Sequence, residues 1–205
     1  MGFERDMRKV VAMIICFVGA ATIFAQEEVG VVINGVTWAT RNVDVVGTFA
    51  ERAESPGMFY QWNRKKALSV TGSVVDCDAS IFVGALWEAV NDPSPDGWRV
   101  PTRAEIEKLL DVTKVEYEWV TESGVNGGRF TDKATGKNIF LPSVKVKNTL
   151  GIIHGHYWSR TDANGHNAYH LNFGNGSLGL YHSDYKFGFS IRSVKDIICG
   201  IETTK

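Results

Sequence analysis

Two hydrophobic periods alternate along this chain, and they predict where helices give way to strands. Apolar Ile106, Leu109 and Leu110 recur at the spacing of one helical face. Thr102 stands where an N-cap belongs, and Glu105, three positions on, completes a capping box whose carboxylate reaches back to the cap's own N–H. The pattern predicts a helix over 103–111. A second helix is predicted over 81–90, with Phe82, Ala85, Leu86 and Ala89 on one side and Pro93 and Pro95 ending it. Over 55–68, Met58, Phe59, Trp62 and Leu68 read as an aromatic-rich strand passing into a short helix.

Elsewhere the period is two, broken by glycine turns. Val31-Val32-Ile33, Asn34-Gly35 and Val36-Thr37-Trp38-Ala39 read as a hairpin with a type I′ turn. Tyr117 and Trp119 alternate with Glu116 and Glu118, Gly127-Gly128 marks a turn, and 129–131 and 138–141 flank another at Thr135-Gly136. Taking Asn175-Gly176 as a two-residue turn pairs Phe173 with Leu178, Leu171 with Leu180 and Tyr169 with His182 on one mostly apolar face. The other face sets Asn172 against Gly179 and His170 against Tyr181, which predicts that His170 and Tyr181 are exposed. Phe187, Phe189 and Ile191 alternate with Gly188, Ser190 and Arg192, a strand with one buried face. Few helices early and many antiparallel strands late predict an α+β domain.

The N-terminus changes the compartment. Arg8 and Lys9 precede an apolar run over 10–24, and Ala25 stands before Gln26-Glu27-Glu28, the order of a secretory signal. The run is shorter than the roughly 20 apolar residues of a spanning helix, so cleavage near Ala25 is favoured over a retained anchor. Glu4 and Asp6 are unusual in such a segment, and Met7 is an alternative start. Cys16 lies inside the run with apolar residues after it, unlike a lipid-attachment cysteine. Residues 1–25 are thus expected to be a signal peptide and 26–205 a single domain of 180 residues, enough for a full core.

That domain carries 19 basic and 21 acidic residues with no long basic run, which excludes counterion-driven nucleic-acid binding as an expectation. Arg64-Lys65-Lys66 reads as a solvated helix end. Cys77 and Cys199 remain after export, which permits a disulfide without deciding between a bridge and two free thiols. Neither has a neighbouring cysteine of the kind a thiolate zinc site needs.

Five motifs occur in order: GMFYQWN (57–63), NDPSPDGWRVPT (91–102), IFLPS (139–143), YWSRT (157–161) and GFSIRSVKD (188–196). Together they resemble the Fibrobacter succinogenes major paralogous domain family, common in exported proteins of Bacteroidetes-type bacteria. The pattern WRVPT…E followed distantly by GFSIRSVKD is also similar to the C-type-lectin-like superfamily, whose fold formylglycine-generating enzymes share. The resemblance implies antiparallel sheets with two main helices, first and last strands that pair, and a loop-rich binding region. Family members often carry Cys where this chain has Ser94 and Ser193, so the matched departures imply that these serines are neighbours. The cysteine pair of formylglycine-generating enzymes has no counterpart, and the calcium-lectin tripeptides are missing.

The candidate chemistry is modest. All five histidines (His154, His156, His166, His170 and His182) fall within 154–182, and neutral imidazoles are good zinc, copper or nickel ligands. No cysteine or HxxxH helix supports a metal there, and none is expected. Tyr157, Trp158, His170, Asn172 and Tyr181 lie on or beside one sheet face and are the candidate ligand-binding residues: flat rings with hydrogen-bonding neighbours, suited to sugars. The alternative for the aromatics is core: Trp38, Trp62, Trp98 and Trp158 stand in motif positions that packing explains, and Trp98 is read as core. Ser159, Asp162 and His166 have the residue types of a triad, but no nucleophile elbow surrounds Ser159. Asp162-Ala163-Asn164-Gly165 is read as an Asx turn, since the later Glu of a calcium loop is missing.

The expectation is an exported, noncatalytic binding module of a bacterial cell envelope, on the cell surface or in the periplasm or extracellular space. It needs no cofactor, and its partner is a glycan or a surface protein. The alternatives are an enzyme related to formylglycine-generating proteins, which requires Cys77 and Cys199 to meet in a cleft, and a structural subunit of a surface polymer, which would expose an unpaired edge strand.

Overall fold

The computed structural model describes residues 28–69, 86–144 and 153–196, so the segment expected to be a signal peptide, Cys77 and Cys199 lie outside the described residues. The chain enters through β1 (Val31–Ile33) and β2 (Val36–Trp38), joined by Asn34 and Gly35. Both turn residues have positive φ, 45° and 74°, as a type I′ turn demands. β3 (Phe59–Tyr60) and β4 (Ala67–Leu68) form a second small hairpin. A single 3₁₀ turn covers Ala89–Asn91, and β5 (Trp98–Arg99) leads into α1 (Arg103–Leu109).

The second half is strand: β6 (Val115–Glu122), β7 (Val125–Asp132), β8 (Asn138–Pro142), β9 (His154–Asp162), β10 (Asn167–Gly174), β11 (Ser177–Asp184) and β12 (Val194–Lys195). They make four antiparallel sheets, ordered β1-β2-β12-β5, β3-β4, β6-β7-β8 and β11-β10-β9. The last strand therefore returns to the first hairpin, where Val194 faces both Trp38 and Arg99.

The expected two-helix α+β fold is corrected: the described residues are mostly strand with one α-helix. The helix that forms is the one with a complete cap. Thr102 Oγ1 accepts from Glu105 N–H, and the Glu105 carboxylate accepts from Thr102 N–H at 2.7 Å. Arg99 also grips that carboxylate with two bonds of 2.7 and 2.8 Å.

Of the helix expected over 81–90, residues 81–85 lie outside the described residues. Leu86 bridges Thr161 as extended chain, and the Asn63 amide takes the Leu86 carbonyl and the Glu88 N–H. A side chain has captured the backbone groups that a helix would need.

The short helix expected before Leu68 is instead the β3–β4 turn, with Asn63 at φ 55°. Lys65 and Lys66 are exposed there, on a turn rather than a helix end. Gly127-Gly128 is no turn either: the reversal falls at Ser123-Gly124, and both glycines sit inside β7. A Cβ on Gly127 would stand 2.4 Å from the Leu141 carbonyl, so glycine there serves close strand packing.

The β9–β10–β11 sheet separates two cores. One face sends Tyr157, Leu171 and Phe173 into a cluster with Trp38, Ile106, Leu109 and Phe130. The other sends Trp158 and Ala168 into a cluster with Tyr60, Trp62, Trp87 and Ile191. Each large apolar side chain buried this way contributes about 1.5–3 kcal/mol. Trp38, Trp62 and Trp98 are core, as their motif positions predict.

The 187–192 segment departs from a one-faced strand. Ser190 and Arg192 are buried along with Phe189 and Ile191, while Phe187 is exposed. Arg192 ties three segments together. It donates to Asn42 Oδ1 at 2.9 Å, to the Ala39 carbonyl at 3.1 Å and to the Phe140 carbonyl at 3.0 Å.

Candidate functional site

The register predicted around Asn175-Gly176 is the observed one, from Gly174↔Ser177 through Tyr169↔His182. It places Asn172 and His170 on the face opposite the first core, beside His156 and Trp158 of β9. Side chains alternate along a strand. His154, His156 and Trp158 therefore share this face, while Tyr157 points into the first core.

Flat groups run across the face in a row. The rings of His154 and His156 lie 6.0 Å apart at 27°, and His156 stacks on Phe189 at 4.8 Å and 19°. Phe187 continues the row 6.0 Å from Phe189, within 2° of parallel. The Asn172 amide sits among them. Its Oδ1 is 3.2 Å from His154 Nδ1, and its Nδ2 is 3.1 and 3.3 Å from the two ring nitrogens of His156. Near-equal approach to both nitrogens puts the amide over the ring rather than at one lone pair. Tyr181 flanks the row from β11, its ring 6.4 Å from that of His170. Tyr181 and Phe187 are 53% and 44% exposed, the two large rings of this face open to solvent.

Three expected site residues are corrected. His170 is 3% exposed, not on the surface, because Phe189 at 4.8 Å and Trp158 at 5.8 Å close over it. Its Nδ1 is buried without a hydrogen-bond partner. Trp158 is fully buried and donates to the Tyr60 carbonyl at 2.7 Å. Tyr157 is buried in the first core, where its hydroxyl donates to the Pro142 carbonyl at 2.7 Å and accepts from the Asn42 amide at 3.1 Å. Only Asn172 and Tyr181 of the five remain accessible. Phe187 was missed because its alternation with Phe189 and Ile191 reads as a single buried face, although it begins the run beside a turn.

Burial sets the protonation of the imidazoles. It pushes His156 down to about 4, helped by the neighbouring His154, and His170 down to about 3, helped by His156 and His182. Both rings are neutral near pH 7; half-buried His156 brings an uncharged imidazole to the face, while His170 lies beneath it. Among the described residues, no group of three or more His, Cys, Asp or Glu could hold a metal ion.

Ser159, Asp162 and His166 form no triad. Ser159 Oγ is engaged within its own strand by Thr161, and Asp162 accepts from Gly165 N–H and the Tyr185 hydroxyl. The turn read at Asp162 closes by a bond from Gly165 N–H, three residues on, and the two-residue Asx bond falls instead at Asn164, whose Oδ1 accepts from His166 N–H at 3.2 Å. A separate polar cleft of about 340 Å³ is lined by Glu28, Thr40, Arg41, Glu51 and Arg52. There Thr40 and Arg41 already satisfy the Glu28 carboxylate.

Comparison of the chain with family models, curated proteins and solved structures found no match.

Proposed function

We propose that the chain is an exported, noncatalytic binding module of a bacterial cell envelope, of the Fibrobacter succinogenes major paralogous domain family, that holds a carbohydrate on the β9–β10–β11 face. The observation that carries the ligand reading is the pair of exposed rings, Tyr181 and Phe187, flanking the neutral His156 imidazole and the Asn172 amide. A sugar ring stacks its C–H face on such aromatics, while amide and imidazole groups take up its hydroxyls. The absence of charge on the buried imidazoles favours an uncharged sugar over an anion.

Export rests on the order of basic, apolar and small residues before Gln26. The family rests on the five motifs, whose residues meet in space: Trp62 donates to the Ser159 carbonyl, and Trp158 to that of Tyr60.

A glycan array probed with the full chain tests the reading. Binding to neutral glycans is expected in the wild type and is expected to be lost in Tyr181→Ala and Phe187→Ala. Undiminished binding in both variants, or no binding by the wild type, removes this face as the site.

A further inference from the structure

We propose that β11 is a self-pairing edge: two copies of this chain join antiparallel along residues 178–182, about a two-fold axis through Leu180. Among the described residues β11 is the outer strand of its sheet, and its eight residues pair with β10 without a break in register. The two-residue turn sets the phase of the ladder. Gly174 and Ser177 flank it as a bonded pair, so Ser177, Gly179, Tyr181 and Ser183 bond inward to β10. Donation of Tyr185 N–H to the His166 carbonyl continues that phase. The N–H and C=O groups of Leu178, Leu180 and His182 therefore point outward, a template for another strand.

The other two long edge strands show what protection looks like: β9, nine residues long, is bridged along its outer side by Val144, Ser190 and Leu86. β6 also has eight residues and carries Glu116, Glu118 and Glu122. β1, the edge of a third sheet, has three residues. β11 carries no Lys and no Pro, and its one carboxylate, Asp184, stands at its very end.

The sequence of β11 also matches itself in one register. Centred on Leu180, the two copies set Leu180 against Leu180, Leu178 against His182, Gly179 against Tyr181 and Ser177 against Ser183, and no like charges meet. Centring on Tyr181 would oppose Leu178 to Asp184. Leu178 and Leu180 already pack half-buried against the first core, so the Leu180 pair carries that apolar face across the axis. Within one chain a Cβ on Gly179 would stand 3.0 Å from the Tyr181 ring, so glycine leaves that ring its place on the strand. None of this rests on the sugar reading, and the test below needs no ligand.

Sedimentation equilibrium of the full chain across the micromolar range is expected to show a dimer. Leu180→Lys and Leu180→Glu are each expected to be monomeric, because like charges would meet on the axis, and an equimolar mixture of the two is expected to dimerise again. His182→Pro deletes an outward N–H while leaving the bonds to β10, so it should weaken association at least about tenfold with an unchanged circular dichroism spectrum. A monomeric wild type overturns the proposal. So does a dimer that survives His182→Pro, whatever the folding of the Leu180 variants.

Discussion

The hydroxyls of Ser94 and Ser193 lie 2.8 Å apart, although 99 positions separate them in the chain. Ser94 stands in the turn before Trp98, and Ser193 just precedes β12, which pairs with the strand that Trp98 begins. One hydrogen bond thus links two distant segments of the chain, where a covalent link would be far stronger.

Ser94→Cys with Ser193→Cys is expected to form a disulfide on mild oxidation. Such a bridge should stabilise by roughly 2–4 kcal/mol if the native geometry is kept. Thiol titration of the unfolded protein, with and without reductant, counts the bridge. Denaturant midpoints give its effect. A double variant whose two new thiols stay free under oxidant shows that the Cα–Cβ vectors do not point together.

Arg192 is the most consequential buried polar residue. It is 1% exposed and has carbonyl and amide oxygens, not a carboxylate, for partners. Burial lowers it to about 10, so it stays charged at neutral pH. Arg192→Met removes a charge from the interior but strands Ala39 O, Phe140 O and Asn42 Oδ1 without their donor. The expected loss is about 3–5 kcal/mol in urea unfolding. Arg192→Lys should recover only part of it, since one ammonium cannot span three acceptors in the fork geometry of a guanidinium. Full stability in Arg192→Met would mean that these acceptors find other partners.

What the sequence made legible was local. The capping box at Thr102 and Glu105 and the Asn175-Gly176 register needed only neighbouring residues, and both hold. The second helix failed because Asn63, more than twenty positions away, captures its backbone groups. His170 failed for a related reason: register decides which residues share a face, not what covers it. The cover is Phe189, which arrives from a segment held by isolated bridges to Tyr60 and Tyr157 rather than by a strand of its own. Tyr157 and Trp158 could have been separated from sequence alone, since adjacent residues of one strand point to opposite faces.

The buried imidazoles and the hydrogen-bonded carboxylates of Glu28 and Glu105 should make stability fall in two stages as the medium is acidified. In the unfolded chain a histidine takes up its proton near pH 6.5. In the folded chain His156 does so only at about 4 and His170 at about 3. Between those limits the unfolded state binds more protons, so stability rises with pH and is lost as pH falls. Each group can contribute up to roughly 1.4 kcal/mol per pH unit across that window. Glu28, whose carboxylate burial would raise but Thr40 and Arg41 hold lower, and Glu105, held low against burial by Arg99 and Thr102, act further down. Their folded values are depressed, so their contribution is fully present above the ordinary carboxylate range and is lost as pH falls below it through the depressed folded values. Urea midpoints should therefore already decline between pH 7 and about 5.5, above the ordinary carboxylate range. His170→Phe removes one of the two groups and its unpaired Nδ1, and should flatten that first decline by about half. A variant that keeps the wild-type slope would assign the acid sensitivity to residues other than His170.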